Sequence, residues 1–348
     1  MHALEKIEQT AMRLLADNPD PVVRYRVLRD LLHRPPDDGE LSAAVGNLKQ
    51  SANVRLLGDE QYPDGSWGRF HSQNIKIKQA IPTTELGVMR ALALGLDPHQ
   101  SVLKKARQYL VGVLDGKLPL PDREEHNPRW AIGSKLFPAA MLALIDPNNH
   151  VLDKAFAYWL EIARWTFESG RYDPDAELRA HQKLSGRALR QLRYLSLRGK
   201  YQLMLLSSRP EQLGDELERN LYDWIWHNNS GLGYLDQPLN RIPPSIKKNH
   251  LDCWFSSLEI VSRFRSWCDY APDVVDWLWK QREPDRFWDF GPRADFGLTH
   301  YFPLSENWRK RIHRRHDWTV RVLVLLRSYY DRAAVTNDSG GNRLTAYR

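Results

Sequence analysis

Two stretches of the chain concentrate groups that could do chemistry. One is Lys247-Lys248-Asn249-His250-Leu251-Asp252-Cys253-Trp254, and the other is Arg314-Arg315-His316-Asp317-Trp318-Thr319. Each opens a segment with apolar helical spacing, so its ionisable groups sit at a helix start. The positive end of the backbone dipole lies there, and anions, acids, diphosphates and metal ligands are favoured. Asp317, His316 and Asp252 are the ionisable candidates at these starts. Trp254 and Trp318 offer aromatic faces to an apolar or cationic ligand, and His250, Lys248 and Arg315 offer polar contacts to it. Plainer roles stand beside these. Asp317 reads also as an N-cap, on ordinary capping preference the first reading, and Cys253 as a small core residue. Arg315 would lower the pKa of Asp317, the wrong direction for a proton donor.

The run Arg309-Lys310-Arg311-Ile312-His313-Arg314-Arg315-His316 has three readings. It could hold a diphosphate, contact nucleic-acid phosphates, or form a solvated surface, the usual fate of a charge run. Without aromatic interleaving or a reader motif, nucleic acid is the disfavoured partner. Trp67, Trp130 and Trp308 are further aromatic candidates, and His71, His126 and His250 precede apolar helices as polar ones. Asp173-Pro174-Asp175-Ala176-Glu177 is acidic but reads as an exposed helix start. No H-E-x-x-H, G-x-x-x-x-G-K-[ST], G-x-S-x-G or paired C-x-x-C occurs, so serine-hydrolase and zinc-finger readings have no foothold.

The elements that must position these groups are helical. Apolar helices are expected at 21–34, 84–96, 131–145, 199–207, 252–264 and 318–330, several apolar on more than one face and so buried on both sides. Amphipathic helices alternate with them at 4–16, 39–56, 100–114, 151–167, 210–225 and 272–280, as an outer layer requires. A basic helix near 176–195 looks inserted. Gly/aromatic segments recur at Gly65, Gly116, Gly170, Gly231 and Phe287, roughly every 50–60 residues, which signals a repeat architecture. Buried and amphipathic helices in alternation favour closure into two concentric layers. The expectation is an all-α (α/α)6 toroid, six inner and six outer helices around a central cavity, in a single domain over 1–331. The tail 332–348 is expected to be disordered.

Composition fits this reading. The hydrophobic set is 42% and charged residues are 27%, ordinary for a soluble globular chain. Thirteen Trp and fourteen Tyr suit a large core or an aromatic-lined cavity. The net charge of +7 leans towards anionic partners. No apolar run is long enough to span a membrane. The start Met1-His2-Ala3-Leu4-Glu5-Lys6 lacks a secretory layout, and Cys253 and Cys268 form no disulfide framework. A cytoplasmic location is expected, with peripheral membrane contact as the second option.

Gln61-Tyr62-Pro63-Asp64-Gly65-Ser66-Trp67 resembles the Q-x-x-D-G-S-W repeat motif of squalene-cyclase-like proteins. Its Asp-Gly makes a tight turn, and its amide and indole can tie an outer helix end to its neighbour. A degraded copy with one extra residue runs from Gln281 to Trp288, with Asp285 inside. Thr83-Thr84-Glu85-Leu86-Gly87-Val88-Met89-Arg90-Ala91-Leu92 is similar to the inner-helix start that follows such motifs. Together these resemble the terpenoid-cyclase and protein-prenyltransferase toroids over most of the chain.

The resemblance implies two chemistries. In a squalene-hopene-type cyclase, Asp317-Trp318-Thr319 would stand for the end of the D-x-D-D-T segment. Asp317 would then protonate a polyprenyl or polyene substrate, although Arg315 and Trp318 occupy positions where the family has acids. In a zinc-dependent prenyltransferase, Asp252, Cys253 and His316 would hold zinc and activate a thiol against a prenyl diphosphate. There the family separates Asp and Cys by one residue, whereas here they touch. The expected ligand is thus an isoprenoid-like small molecule, with no cofactor favoured and zinc as the alternative. A non-catalytic toroid that binds a lipid, glycan or protein is the third reading.

Overall fold

In the computed structural model the described residues are 3–72, 74, 76–242, 248–292 and 302–340, less the side chains of 248, 249 and 335–340. They are all-helical, with fifteen α-helices and no strand among them. The apolar segments form α2 (Pro21–Arg26), α5 (Thr84–Ala93), α7 (Trp130–Ile145), α10 (Lys200–Leu206), α12 (Lys248–Val261) and α15 (Arg311–Gly340). A π-turn, Val27–Leu31, extends α2. The amphipathic segments form α1 (Ala3–Ala16), α3 (Gly39–Gln50), α4 (Ala52–Glu60), α6 (Ser101–Leu114), α8 (Asp153–Thr166), α11 (Asp215–Trp226) and α14 (Pro272–Lys280). The remaining two are α9 (Pro174–Ser185) and the short α13 (Trp267–Tyr270).

Local chemistry sets the boundaries. The stretch 39–56 forms two helices because Ser51 adopts an extended backbone, and its side chain accepts from Val54 N–H to cap α4. The basic helix α9 stops at Ser185, where Gly186 turns left-handed with φ 65°, well short of residue 195. Conversely, α15 passes Asp331 and reaches Gly340, while 341–348 of the expected tail lie outside the described residues.

Burial follows the apolar pattern. All seven residues of α10 are buried, and α7 is buried on nearly every face, from Ile132 to Ile145. On α14 only a stripe of Val274, Val275 and Leu278 is covered. The apolar helices also pack in succession: α5 on α7, α7 on α10, α10 on α12 and α15 on α2. Arg321 bonds α15 to Asp252 of α12, and Arg26 of α2 donates to the Ala93 carbonyl at the end of α5. The first helix, α1, packs on the last, α15. No helix among the described residues is long and apolar enough to cross a membrane.

Two turns hold this scaffold in the same way. At the first, Gln61 Nε2 donates to Gly65 O (2.9 Å) and to Val102 O (2.9 Å) of α6. Tyr62 N–H donates to Ser66 O, and Trp67 Nε1 to Leu57 O at 3.0 Å. At the second, Arg282 Nε donates to Arg286 O (3.1 Å), Glu283 N–H to Phe287 O, and Trp288 Nε1 to Leu278 O (2.6 Å). Arg282 therefore stands in the place of Gln61. The degraded copy needs no extra residue, because the register starts at Arg282 rather than Gln281. Arg282 also donates to Thr10 of α1, as Gln61 does to α6. Gly65 (φ 95°) has no room for a Cβ, which would lie 2.3 Å from Lys105 O. The equivalent Arg286 keeps the same left-handed backbone at φ 80°.

Candidate functional site

One cavity of about 380 Å³ is lined by all six apolar helices. Its wall is largely aliphatic: Met89 and Leu92 of α5, Leu144 of α7, Met204 of α10, Ile260 of α12, and Val320 and Val324 of α15. Charged lining residues are mainly cationic, with Arg26, Lys200, Arg263, Arg321 and Arg332 against Glu259. Arg321 is committed: its guanidinium donates to Asp252 (2.7 Å), Glu259 (2.6 Å) and Ser256 (3.1 Å), and lies over the Phe255 ring. The ends of the cavity differ. Lys200 comes from the first turn of α10, whereas Arg263 lies two residues past the end of α12.

The expected catalytic residues do not gather at this wall. Asp317 is fully buried, and its carboxylate accepts from Leu304 N–H (3.1 Å), Ser305 N–H (3.1 Å) and Ser305 Oγ (2.7 Å). It fastens the 304–305 loop from inside α15, and is no N-cap, because that helix already begins at Arg311. His316 packs against Phe287, with Nε2 3.8 Å from Asp17, and burial lowers its pKa despite that carboxylate. Cys253 is buried, and burial with the adjacent Asp252 pushes its thiol up to about 11. Asp252 pairs with Arg321 instead, and among the described residues Asp252, Cys253 and His316 do not share a metal-sized site.

The aromatic candidates are mostly packing and tethering groups. Trp254 Nε1 donates to Leu239 O and Trp318 Nε1 to Gly291 O, both at 3.3 Å. Trp67 is consumed by its turn, and Trp308 is half-buried beneath the Arg309 guanidinium. His250 is exposed, while Lys247 and the Lys248 side chain lie outside the described residues. Much of the basic run is neutralised locally. Arg314 makes two bonds to Asp289, and Arg315 pairs with Asp285 and with Glu283 at 3.1 Å.

A polar cluster not foreseen as a unit borders the cavity at Lys200. Glu85 opens α5 and is 5% exposed. Its carboxylate takes Lys200 Nζ at 2.8 Å, the Tyr201 hydroxyl at 2.8 and 2.9 Å, and His71 Nδ1 at 2.8 Å. Burial alone would raise the Glu85 pKa; the Lys200 ammonium and the His71 contact outweigh it and bring the value down to about 2. Burial and then Glu85 hold the Tyr201 phenol well above its ordinary range, so it remains a donor. An ionised Glu85 can only accept, which assigns the Nδ1 proton of His71 and leaves Nε2 as the basic nitrogen of the neutral ring. The imidazole stacks on Phe137, ring centres 4.8 Å apart, with Tyr201 and Tyr234 edge-on.

His71 also lines a surface pocket of about 460 Å³ with Arg69, Ser72, Asp122, Arg123 and Trp130 among others. Asp122 shapes that pocket by accepting from the backbone N–H groups of Phe70, His71 and Ser72. Of this cluster the sequence singled out only His71. Glu85 and Lys200 stand in segments that read as apolar-helix starts, but their sequence separation of 115 hides the pairing. Comparison with known proteins finds no matching family model, and neither a curated protein nor a solved structure matches the chain.

Proposed function

We propose that the chain is an (α/α)6 toroid that takes an apolar-chain ligand with an anionic head, of the isoprenoid class, into its central cavity. The observation that carries this reading is an aliphatic cavity to which all six apolar helices contribute. The meeting of α1 with α15, and the matched turns at Trp67 and Trp288, support the closed ring. A cavity of about 380 Å³ lies near the small end of the range for ligand pockets, roughly 300–1,000 Å³, and suits a short polyprenyl chain better than a triterpene. The excess of cations over acids in the lining favours an anionic head, with Arg263 free of ion pairs among the described residues. The proton-donor role that the resemblance implied for Asp317 is not carried into this proposal, because that carboxylate already accepts three hydrogen bonds.

Equilibrium binding of farnesyl diphosphate and farnesol to the purified chain tests the reading. Met204→Trp and Met89→Phe, which fill the cavity from α10 and α5, are expected to weaken farnesyl diphosphate binding by about tenfold or more, roughly 1.4 kcal/mol. Arg263→Gln should narrow the preference for the diphosphate over the alcohol. Equal binding by the wild type and both cavity-filling variants, each with its helical content retained, overturns the proposal. Product analysis with linear polyprenyl diphosphates and squalene decides whether binding is accompanied by turnover.

A further inference from the structure

The Glu85 cluster has an outward side, at His71, that faces away from the central cavity lining. His71 Nδ1 is held by Glu85 and by the Tyr201 hydroxyl at 3.0 Å, while Nε2 carries no partner among the described residues. Its side chain is 30% exposed, and the ring borders the surface pocket. Charged groups of that pocket divide into two kinds. Asp122 is taken up by loop N–H groups and Glu125 by the Asn127 amide. Arg69 and Arg123 have no ion-pair partner among the described residues, and they share the pocket with His71, His126 and Glu124. A buried carboxylate, an oriented imidazole and uncommitted guanidinium groups thus meet at one concave surface.

We propose that this pocket is a second site, at which His71 Nε2 acts as a general base that activates water against a small carboxylic ester. The water O–H bond breaks, its proton forms the second N–H bond of the imidazole, and the oxygen attacks the carbonyl carbon. Glu85 stays ionised and stabilises the imidazolium, as a carboxylate behind a catalytic histidine does. The charge that develops on the carbonyl oxygen is met by Arg69 or Arg123. The C–O bond of the tetrahedral intermediate then breaks, and the leaving alcohol takes the proton back from Nε2. Acid and alcohol are released, and the enzyme returns to its starting state. No metal, nucleophilic side chain or cofactor enters the balance. Lys200 and Tyr201 are positioning residues, since they touch Glu85 rather than the pocket's occupant.

The probe is p-nitrophenyl butyrate with the full chain, followed by release of the nitrophenolate. Wild-type hydrolysis should exceed that of His71→Ala by about a hundredfold, the scale of one general base. Added imidazole should restore part of the loss in His71→Ala. Arg69→Gln/Arg123→Gln, changed only at the pocket rim, should also be slower without a change in Tm. His150→Gln, an exposed histidine far along the chain, should match wild type and so measures the background of surface imidazoles. A wild-type rate equal to that of His71→Ala overturns the proposal. So does a folded His71→Ala that added imidazole does not rescue.

Discussion

The indoles of Trp67 and Trp288 make the same two tethers 221 residues apart. Each Nε1 donates to the carbonyl ten residues earlier, Leu57 and Leu278, and each backbone N–H donates to a threonine hydroxyl, Thr84 and Thr319. The two threonines belong to α5 and α15, so each tryptophan ties the end of an amphipathic helix to an apolar one. Trp67→Phe and Trp288→Phe should each lower stability by about 1–3 kcal/mol, since a buried carbonyl loses its donor. Gly87→Ala should cost a similar amount, because its Cβ would lie 2.4 Å from the Trp67 ring. Urea unfolding measures all three, and wild-type stability in both tryptophan variants would refute the tether.

Asp317 is expected to behave as a fastener. An amide in its place presents N–H to the N–H groups of Leu304 and Ser305, so one of the three bonds is lost and another is repelled. Asp317→Asn should cost about 1.5–3 kcal/mol, the scale of hydrogen bonds to a charged group, and should expose the 302–306 loop to protease. A variant with wild-type Tm and wild-type protease resistance that nevertheless loses ligand turnover would return Asp317 to the chemistry.

Helix positions were legible because a buried helix must be apolar on more than one face, and α7 and α10 are so in sequence and in space. The first turn was legible because Asp64-Gly65 has a left-handed requirement that glycine meets. Its second copy was readable one residue out of register. Gln281 matches the motif by type, yet the bond to the turn carbonyl comes from the Arg282 guanidinium. Chemistry was less legible than geometry. Asp317 stands in a stretch whose residue types suggest chemistry, whereas its partners lie in a separate loop, at Leu304 and Ser305. Glu85, His71, Tyr201 and Lys200 come together only when α5 and α10 are brought near, and no local pattern encodes that approach.

The pair Glu85–Lys200 should show strong coupling. Both side chains are nearly inaccessible, at 6% and 10%. Glu85→Gln or Lys200→Met alone strands a buried partner and should cost about 3–5 kcal/mol, whereas the double variant should cost much less than the sum. Because the Glu85 pKa is depressed to about 2 from 4.5, the pair's stabilisation is present above pH 4.5 and is lost as pH falls towards 2. A double-mutant cycle by urea unfolding at neutral pH measures the coupling. Additive costs would remove the pair from the core's energetics.

Glu177 should do the reverse. It stands in the first turn of α9, fully buried, and accepts from the Tyr172 hydroxyl (2.7 Å) and Leu197 N–H (2.6 Å), yet burial outweighs these bonds and raises its pKa from 4.5 to about 7. The folded state therefore holds a proton that the unfolded chain releases between those values. Stability from this group is complete below pH 4.5, declines as pH rises, and is lost above pH 7, by about 3 kcal/mol at 1.36 kcal/mol per unit. Glu177→Gln keeps an acceptor for Leu197 and carries no charge to desolvate, so its pH dependence should lack this decline. The measurement is the difference in unfolding free energy between wild type and Glu177→Gln at pH 5 and pH 8. The variant should gain on wild type as pH rises; a constant difference would mean that Glu177 is already ionised at pH 5.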